Sequence, residues 1–286
     1  RSRRAGFRRG GLTGPVLNAD LLAELEFAAR LAEAARPAAL AHFRTGAAVT
    51  DKGEGAGFDP VTAADREAEA AIRAELAAHR PHDSVLGEEG EPVEGSSDRT
   101  WVIDPIDGTR AFIAGLPTWC VLIALMEDGR PILSVIDQPF TGERFLGLDA
   151  GDTRGAWYER TGSRRPIRVS GRASLEQTIL STTDPALFDP AARYAFDAVS
   201  ARVRLRRYGL DAYAYAMTAL GGVDLVIESG LKLWDRAALA PVVRGAGGVF
   251  TGWNGEPEPE SGAVVAAAGE ALHAETLYVL ASARRA

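Results

Sequence analysis

The stretch Trp101-Val102-Ile103-Asp104-Pro105-Ile106-Asp107-Gly108-Thr109 decides how this chain is read. Trp101 to Ile103 is a short apolar strand, and two carboxylates three residues apart follow at its end. Pro105 fixes its own φ and removes a backbone donor. Asp107-Gly108 then permits a sharp bend. Such a turn aims both carboxylates and the Ile106 carbonyl at one point. Hard cations such as Mg²⁺ take oxygen ligands of this kind. The chemistry suggested is metal-assisted attack on a phosphate ester. An Asp-Gly pair also makes an ordinary surface turn, so the neighbouring acids have to decide.

Working outward, Ser84-Val85-Leu86 reads as a strand leading through Gly87 to Glu88-Glu89. Adjacent acids usually mark a solvated loop. At a strand end beside another acidic strand end, one can ligate a cation that relieves their repulsion. Asp65 closes Thr62-Ala63-Ala64-Asp65, which resembles a capping box. It also shares a helical face with Ala68, Ile72 and Leu76. A carboxylate on that face needs a partner, so cap and site both stay open. Asp235 suits a helix start. Glu228 ends the strand Val223 to Ile227, where ligands gather in open α/β sheets. If Gly108-Thr109-Arg110 opens a helix, its free N–H groups and Arg110 suit a phosphate oxygen.

The remaining chemistry is mostly excluded by absence. There is no P-loop and no nucleophile elbow. His42, His79, His82 and His273 are scattered, and Cys120 sits alone in a strand as packing. A single cysteine allows no internal disulfide and fits a reducing, cytoplasmic location. A net charge of −7 disfavours nonspecific nucleic-acid binding. No apolar run of about 18 residues suggests a membrane span. Residues 1–14 are basic and Gly-rich, without the apolar core of a signal peptide, and are expected to be a disordered arm.

The 286 residues suit one large or two ordinary domains, with 46% hydrophobic and 25% charged residues. Asn18 is an expected N-cap for a first helix, and a second runs from about Thr62 to His79. Gly46 to Phe58 reads as a loop. Glu127-Asp128-Gly129-Arg130 joins Trp119–Met126 to Pro131–Ile136 as a hairpin, and Arg144–Leu148 adds a strand. The Gly/Asp/Arg-rich segment Asp149 to Gly155 is the candidate boundary between an α+β unit, residues 15–150, and an α/β unit, residues 151–286. In the latter, strands are expected at Thr178–Ser181, Val203–Leu205, Val223–Ile227 and Val264–Ala268. Helices are expected at Pro190–Ser200, Asp211–Leu220, Asp235–Ala246 and Leu272–Ala283. This alternation argues an α/β class.

Four blocks together resemble the inositol monophosphatase family of Mg²⁺-dependent, lithium-sensitive phosphatases. They are Asp59-Pro60-Val61-Thr62-Ala63-Ala64-Asp65, Gly87-Glu88-Glu89, Asp104-Pro105-Ile106-Asp107-Gly108-Thr109, and Trp234-Asp235 followed by Gly245-Ala246-Gly247-Gly248. The resemblance covers residues from about 15 to 283. It implies a layered αβαβα sandwich of the sugar-phosphatase type and a homodimer. It implies two or three Mg²⁺ ions held by Glu88, Asp104, the Ile106 carbonyl, Asp107 and Asp235. Asp65 and Thr109 match the pair that positions the attacking water, with Glu88 assisting, and Gly108 and Thr109 match the phosphate-binding turn. Arg110-Ala111-Phe112-Ile113, Ile136-Asp137-Gln138-Pro139-Phe140 and Arg207-Tyr208-Gly209-Leu210-Asp211 look like the histidinol-phosphate phosphatase branch. Leu210 and Leu233-Trp234 depart from that branch near the substrate end. Arg110, Asp211 and Glu228 are the expected substrate contacts, with the two acids placed to meet the amine of L-histidinol phosphate. Alternatives are an inositol, sugar or nucleotide monophosphate as substrate, or a noncatalytic metal- or phosphate-binding regulator.

Overall fold

The computed structural model describes residues 18–46, 49–51 and 60–285. The basic arm, Asp59 and most of the Gly46–Phe58 loop lie outside them. Helix α1 (Ala19–His42) starts at Asn18, whose side chain accepts from the Asp20 N–H at 2.9 Å. Strands β1 (Val49–Asp51) and β2 (Pro60–Thr62) pair antiparallel and lead into α2 (Ala63–His79). Then come β3 (Ser84–Gly87), β4 (Arg99–Asp107), the short helix α3 (Thr109–Ile113), β5 (Cys120–Glu127), β6 (Arg130–Gln138), β7 (Glu143–Ala150), β8 (Thr153–Arg160) and β9 (Ser163–Pro166). Strands β3 to β9 form one seven-stranded sheet in sequence order, antiparallel except for the β3–β4 pair.

The chain continues through β10 (Ile179–Thr182), α4 (Pro190–Ser200), β11 (Leu205–Tyr208), α5 (Ala212–Ala219), β12 (Leu225–Glu228), α6 (Leu233–Ala237), α7 (Leu239–Gly245), β13 (Val249–Gly252), β14 (Val264–Ala267) and α8 (Glu270–Ala283). These strands make a five-stranded sheet in the order β11-β10-β12-β14-β13. Strands β10, β11 and β12 run parallel, whereas β14 is antiparallel to both its neighbours.

The layers stack as α1 and α2, the seven-stranded sheet, α5 to α7, the five-stranded sheet, then α4 and α8. This is the αβαβα sandwich. Strand β5 explains why its sequence reads as one apolar run. Val121, Ile123 and Leu125 face α1 and α2, while Cys120, Leu122 and Ala124 face the middle helices. Side chains alternate across a strand, so a sheet covered on both faces needs apolar residues at every position. A third core lies between the second sheet and α4 and α8, around Phe196, Trp253 and Leu280.

Four expectations change. Asp149 to Gly155 lies in the β7–β8 hairpin, so it does not separate two units, and the chain leaves the first sheet only after Pro166. The helix expected over Asp235–Ala246 is two helices, because Pro241 has no N–H to offer the carbonyl four residues back. The strand expected at Val203–Leu205 pairs instead over Leu205–Tyr208, since Val203 is buried in the third core where the chain turns out of α4. The short strand ending at Ile103 runs on to Asp107.

Candidate active site

That last difference sets the geometry of the site. Asp104 pairs with Leu122 and Asp107 with Cys120, so β4 carries one extra residue there. The result is a bulge, and Pro105 is tolerated because the ladder is already interrupted. The Ile106 N–H donates to Asp104 Oδ1 at 3.0 Å, and the Thr109 hydroxyl donates to the Ile106 carbonyl at 3.1 Å. Gly108 follows with φ +82°, which a glycine adopts without strain, and opens α3.

Two helices of the middle layer close on this bulge. The Ala212 N–H, at the start of α5, donates to Asp107 Oδ2 at 2.6 Å. Asp235 lies in the first turn of α6, where it accepts from the Lys232 N–H at 2.6 Å. Carboxylate oxygens of Asp104, Asp107 and Asp235 all lie within 4.8 Å of one another. Burial, then the charges of Glu88, Asp107, Asp235 and Asp65, push the Asp104 carboxyl well above the usual carboxylate range. Burial and Asp211 do the same to Asp107, followed by Asp235 and Glu88, against the opposing Ala212 N–H. Acids from α2, the β3 end, β4, the residue before α5 and α6 therefore crowd Asp104 and Asp107. Such a set is costly to ionise without a counter-charge and supplies only hard oxygen donors, which is the environment a Mg²⁺ ion fits.

Asp65 is both cap and neighbour of this centre. Its Oδ2 accepts from the Thr62 N–H at 2.8 Å and the Thr62 hydroxyl at 2.6 Å, which fixes it on the buried face of α2. Glu88 follows β3 and is half-buried, and its N–H donates to the Ile103 carbonyl at 3.2 Å.

A second acidic pair borders the first. Asp211 lies against the turn, so a Cβ added to Gly108 would sit 3.1 Å from Asp211 Oδ2. Glu228, 5% exposed, ends β12 and accepts from the Thr183 N–H at 2.5 Å and the Thr182 hydroxyl at 3.1 Å. Burial raises Asp211 to about 6, offset by the Thr183 hydroxyl and by Arg110. Burial raises Glu228 to about 7, offset by Thr183 and Thr182 and reinforced by Asp211. Arg110 is exposed at the first turn of α3, close enough to act on Asp211.

Every predicted site residue thus falls around one region, where acids from the two sheets and the helices between come together. Sequence reading missed Thr182, Thr183 and Tyr215. The rule that ligands gather at strand ends pointed to the first two, since β10 runs parallel to β12 and ends beside Glu228. Tyr215 gave no signal, because an aromatic on an apolar helix reads as core. Its buried hydroxyl has no hydrogen-bond partner among the described residues. Burial, Glu228, Asp107 and Asp235 push its pKa upward, so it remains a neutral phenol.

A buried carboxylate centre of this kind suits metal-assisted hydrolysis in its chemistry. The chain belongs to the inositol monophosphatase family, which it matches over residues 20–285. It is 38% identical to a histidinol-phosphatase of Streptomyces coelicolor, across 91% of this chain and 98% of that protein. It is 40% identical to the chloroplastic bifunctional phosphatase IMPL2 of Arabidopsis thaliana, across 87% of this chain and 72% of that one. An inositol monophosphatase from Zymomonas mobilis has the same fold, with a TM-score of 0.81 and 37% identity over 92% of this chain and all of the other. Phosphatases of this family use Mg²⁺, and the acidic centre is suited to it. Among the described residues no helix is long and apolar enough to cross a membrane.

Proposed function

We propose that this chain hydrolyses L-histidinol phosphate to L-histidinol and phosphate. The observation that carries the substrate choice is the Asp211–Glu228 pair beside the acidic centre. Both carboxyls are held above their usual range by burial, to about 6 and about 7. An arriving ammonium would restore their ionisation and be held by it. The substrate amine is cationic at neutral pH, so it supplies that charge. The relatives named histidinol-phosphatase favour the same reading.

On this reading Glu88, Asp104, the Ile106 carbonyl, Asp107 and Asp235 hold two or three Mg²⁺ ions. When bound, Mg²⁺ lowers the pKa of water and neutralises charge on the phosphate. Asp65, fixed by Thr62, and the Thr109 hydroxyl orient the attacking water, with Glu88 assisting. The backbone of Gly108 and Thr109 and the guanidinium of Arg110 bind phosphate oxygens, using N–H groups that a helix start leaves without internal acceptors. The reading also carries a cytoplasmic homodimer, which light scattering on the purified protein would test.

The decisive experiment is phosphate release from histidinol phosphate and from inositol 1-phosphate, each with Mg²⁺ and with EDTA. Mg²⁺-dependent preference for histidinol phosphate is expected. Preference for inositol 1-phosphate would keep the chemistry and overturn the substrate.

A further inference from the structure

Glu69 has no role in the reading above, yet it is 1% exposed and lies one helical turn beyond Asp65 on the buried face of α2. Its carboxylate is aimed at the turn that carries Glu88. Oε2 accepts from the Glu89 N–H at 2.8 Å, and Oε1 accepts from the Gly90 N–H at 2.9 Å. Arg73, four residues along the helix, donates its Nε to Glu69 Oε1 at 2.7 Å. The same guanidinium donates to the Glu91 and Gly90 carbonyls, each at 3.0 Å. Beyond it, Val85 and Val93 exchange two backbone bonds at 2.9 Å and close the loop.

The glycines around Glu88-Glu89 follow from this clamp. A Cβ on Gly87 would sit 2.2 Å from Glu69 Oε1, and one on Gly90 would sit 2.9 Å from the same atom. Neither glycine is among those with positive φ, so the turn requires them for room rather than for backbone freedom. The chain leaves out two side chains there so that a buried carboxylate can reach the backbone.

Glu88 faces a centre already crowded with Asp104, Asp107 and Asp235, and its charge is among those that disturb Asp104. Like-charge repulsion pushes Glu88 outward whenever no cation is bound. A free loop would yield, whereas a turn bonded to a helix on its inner side resists. We infer that Glu69 and Arg73 are positioning residues that hold Glu88 toward the acidic centre and so set its affinity for a divalent cation. This rests on the reading of Glu88 as a ligand. Partners that orient a ligand are worth about ten- to a hundredfold in metal affinity.

The test is direct Mn²⁺ binding, followed by the electron paramagnetic resonance of free Mn²⁺, on wild type, Glu69→Gln, Arg73→Lys and Glu88→Gln. Circular dichroism checks that each is folded. Glu69→Gln should weaken Mn²⁺ binding about tenfold or more. It should raise the Mg²⁺ concentration for half-maximal phosphate release, with kcat largely restored at saturating Mg²⁺. Arg73→Lys keeps the charge pair and loses the carbonyl bonds, so it should fall between wild type and Glu69→Gln. It carries the test if Glu69→Gln does not fold. Wild-type Mn²⁺ affinity in these folded variants, with Glu88→Gln weakened, overturns the clamp alone. Wild-type affinity in Glu88→Gln overturns the ligand reading of Glu88 and the clamp with it.

Discussion

At Asp211 the backbone leaves the ordinary territory of L residues, with φ +48° and ψ −138°. Such conformations cost roughly 1–3 kcal/mol and persist where the surroundings over-determine them. Here the next residue's N–H is bound to Asp107, which holds the strained acid against the Gly108 turn. Asp107→Asn keeps an oxygen for that N–H and loses the charge. Turnover should fall more than about a hundredfold, beyond the loss typical of a mere supporting partner, with an unchanged circular dichroism spectrum. Activity near wild type would remove Asp107 from the ligand set. Glu228→Gln should raise KM for histidinol phosphate about tenfold, the scale of one charge-assisted bond. Inositol 1-phosphate kinetics should move less. The same variant tests the titration. Glu228 rises from 4.5 to about 7 on folding, so the folded state binds the extra proton. Stability from the protonated form is therefore present at low pH and lost as pH rises from about 4.5 through about 7. The unfolding free energy of metal-free wild type, minus that of Glu228→Gln, should fall by about 3 kcal/mol across that window in urea titrations. A flat difference would mean that Glu228 is not buried as a carboxylic acid. At this scale the sequence was most legible, because acids at strand ends and beside glycines advertise themselves. Tyr215 and Glu69 did not, since a phenol in an alanine-rich helix and a glutamate in an amphipathic one look ordinary until a fold surrounds them.

Among elements, α7 shows how backbone approach can matter more than side-chain chemistry. A Cβ on Gly147 of β7 would lie 2.3 Å from the Val242 nitrogen, and one on Gly245 would lie 2.2 Å from the Gly155 carbonyl oxygen. Helix α7 therefore rests directly on the β7–β8 hairpin, with no side chain between. Neither Gly147 nor Gly245 has positive φ, so space is again the constraint. Gly147→Ala should destabilise the protein by about 1–3 kcal/mol, the usual penalty of overpacking, seen as a lower urea midpoint. An unchanged midpoint would show that α7 can shift freely. The strands β8 and β9 escaped the sequence reading for a related reason. Strand β8 is mostly half-buried with Ala156 alone fully buried, and the Arg-rich β9 is exposed throughout, so period-two apolar alternation is missing. The bulge in β4 was legible as a turn but not as part of a strand, because Pro105 reads as punctuation where the partner strand in fact continues. By contrast α2 and α4 matched closely, since a cap at each start leads into an apolar stripe, with Pro81 marking the end of α2 and Pro190 the start of α4.

Across the whole molecule, the acidic centre draws Asp65, Glu88, Asp104 and Asp107 from the first sheet and its outer helix. Asp211, Glu228 and Asp235 come from the second sheet and the helices between. Alternation of strands and helices in the sequence foretold the α/β class and the family resemblance implied the layers, yet neither told where acids of the two sheets come together, because no local pattern records that distance. The meeting place has a thermodynamic meaning separate from turnover. Anions supplied by both sheets repel across the seam that joins them, so the empty protein is held together against its own charge. A cation that binds only the assembled seam draws the folding equilibrium toward the native state as RT ln(1 + [L]/Kd), about 2.7 kcal/mol at a hundredfold excess over Kd. The unfolding temperature should therefore climb by several degrees between EDTA and millimolar Mg²⁺. Asp107→Asn should flatten that climb, and an unfolding temperature indifferent to Mg²⁺ in wild type would argue against a shared seam. Free Mg²⁺ thus becomes a folding variable for this chain, with its supply governing how many molecules survive as well as how fast each one works.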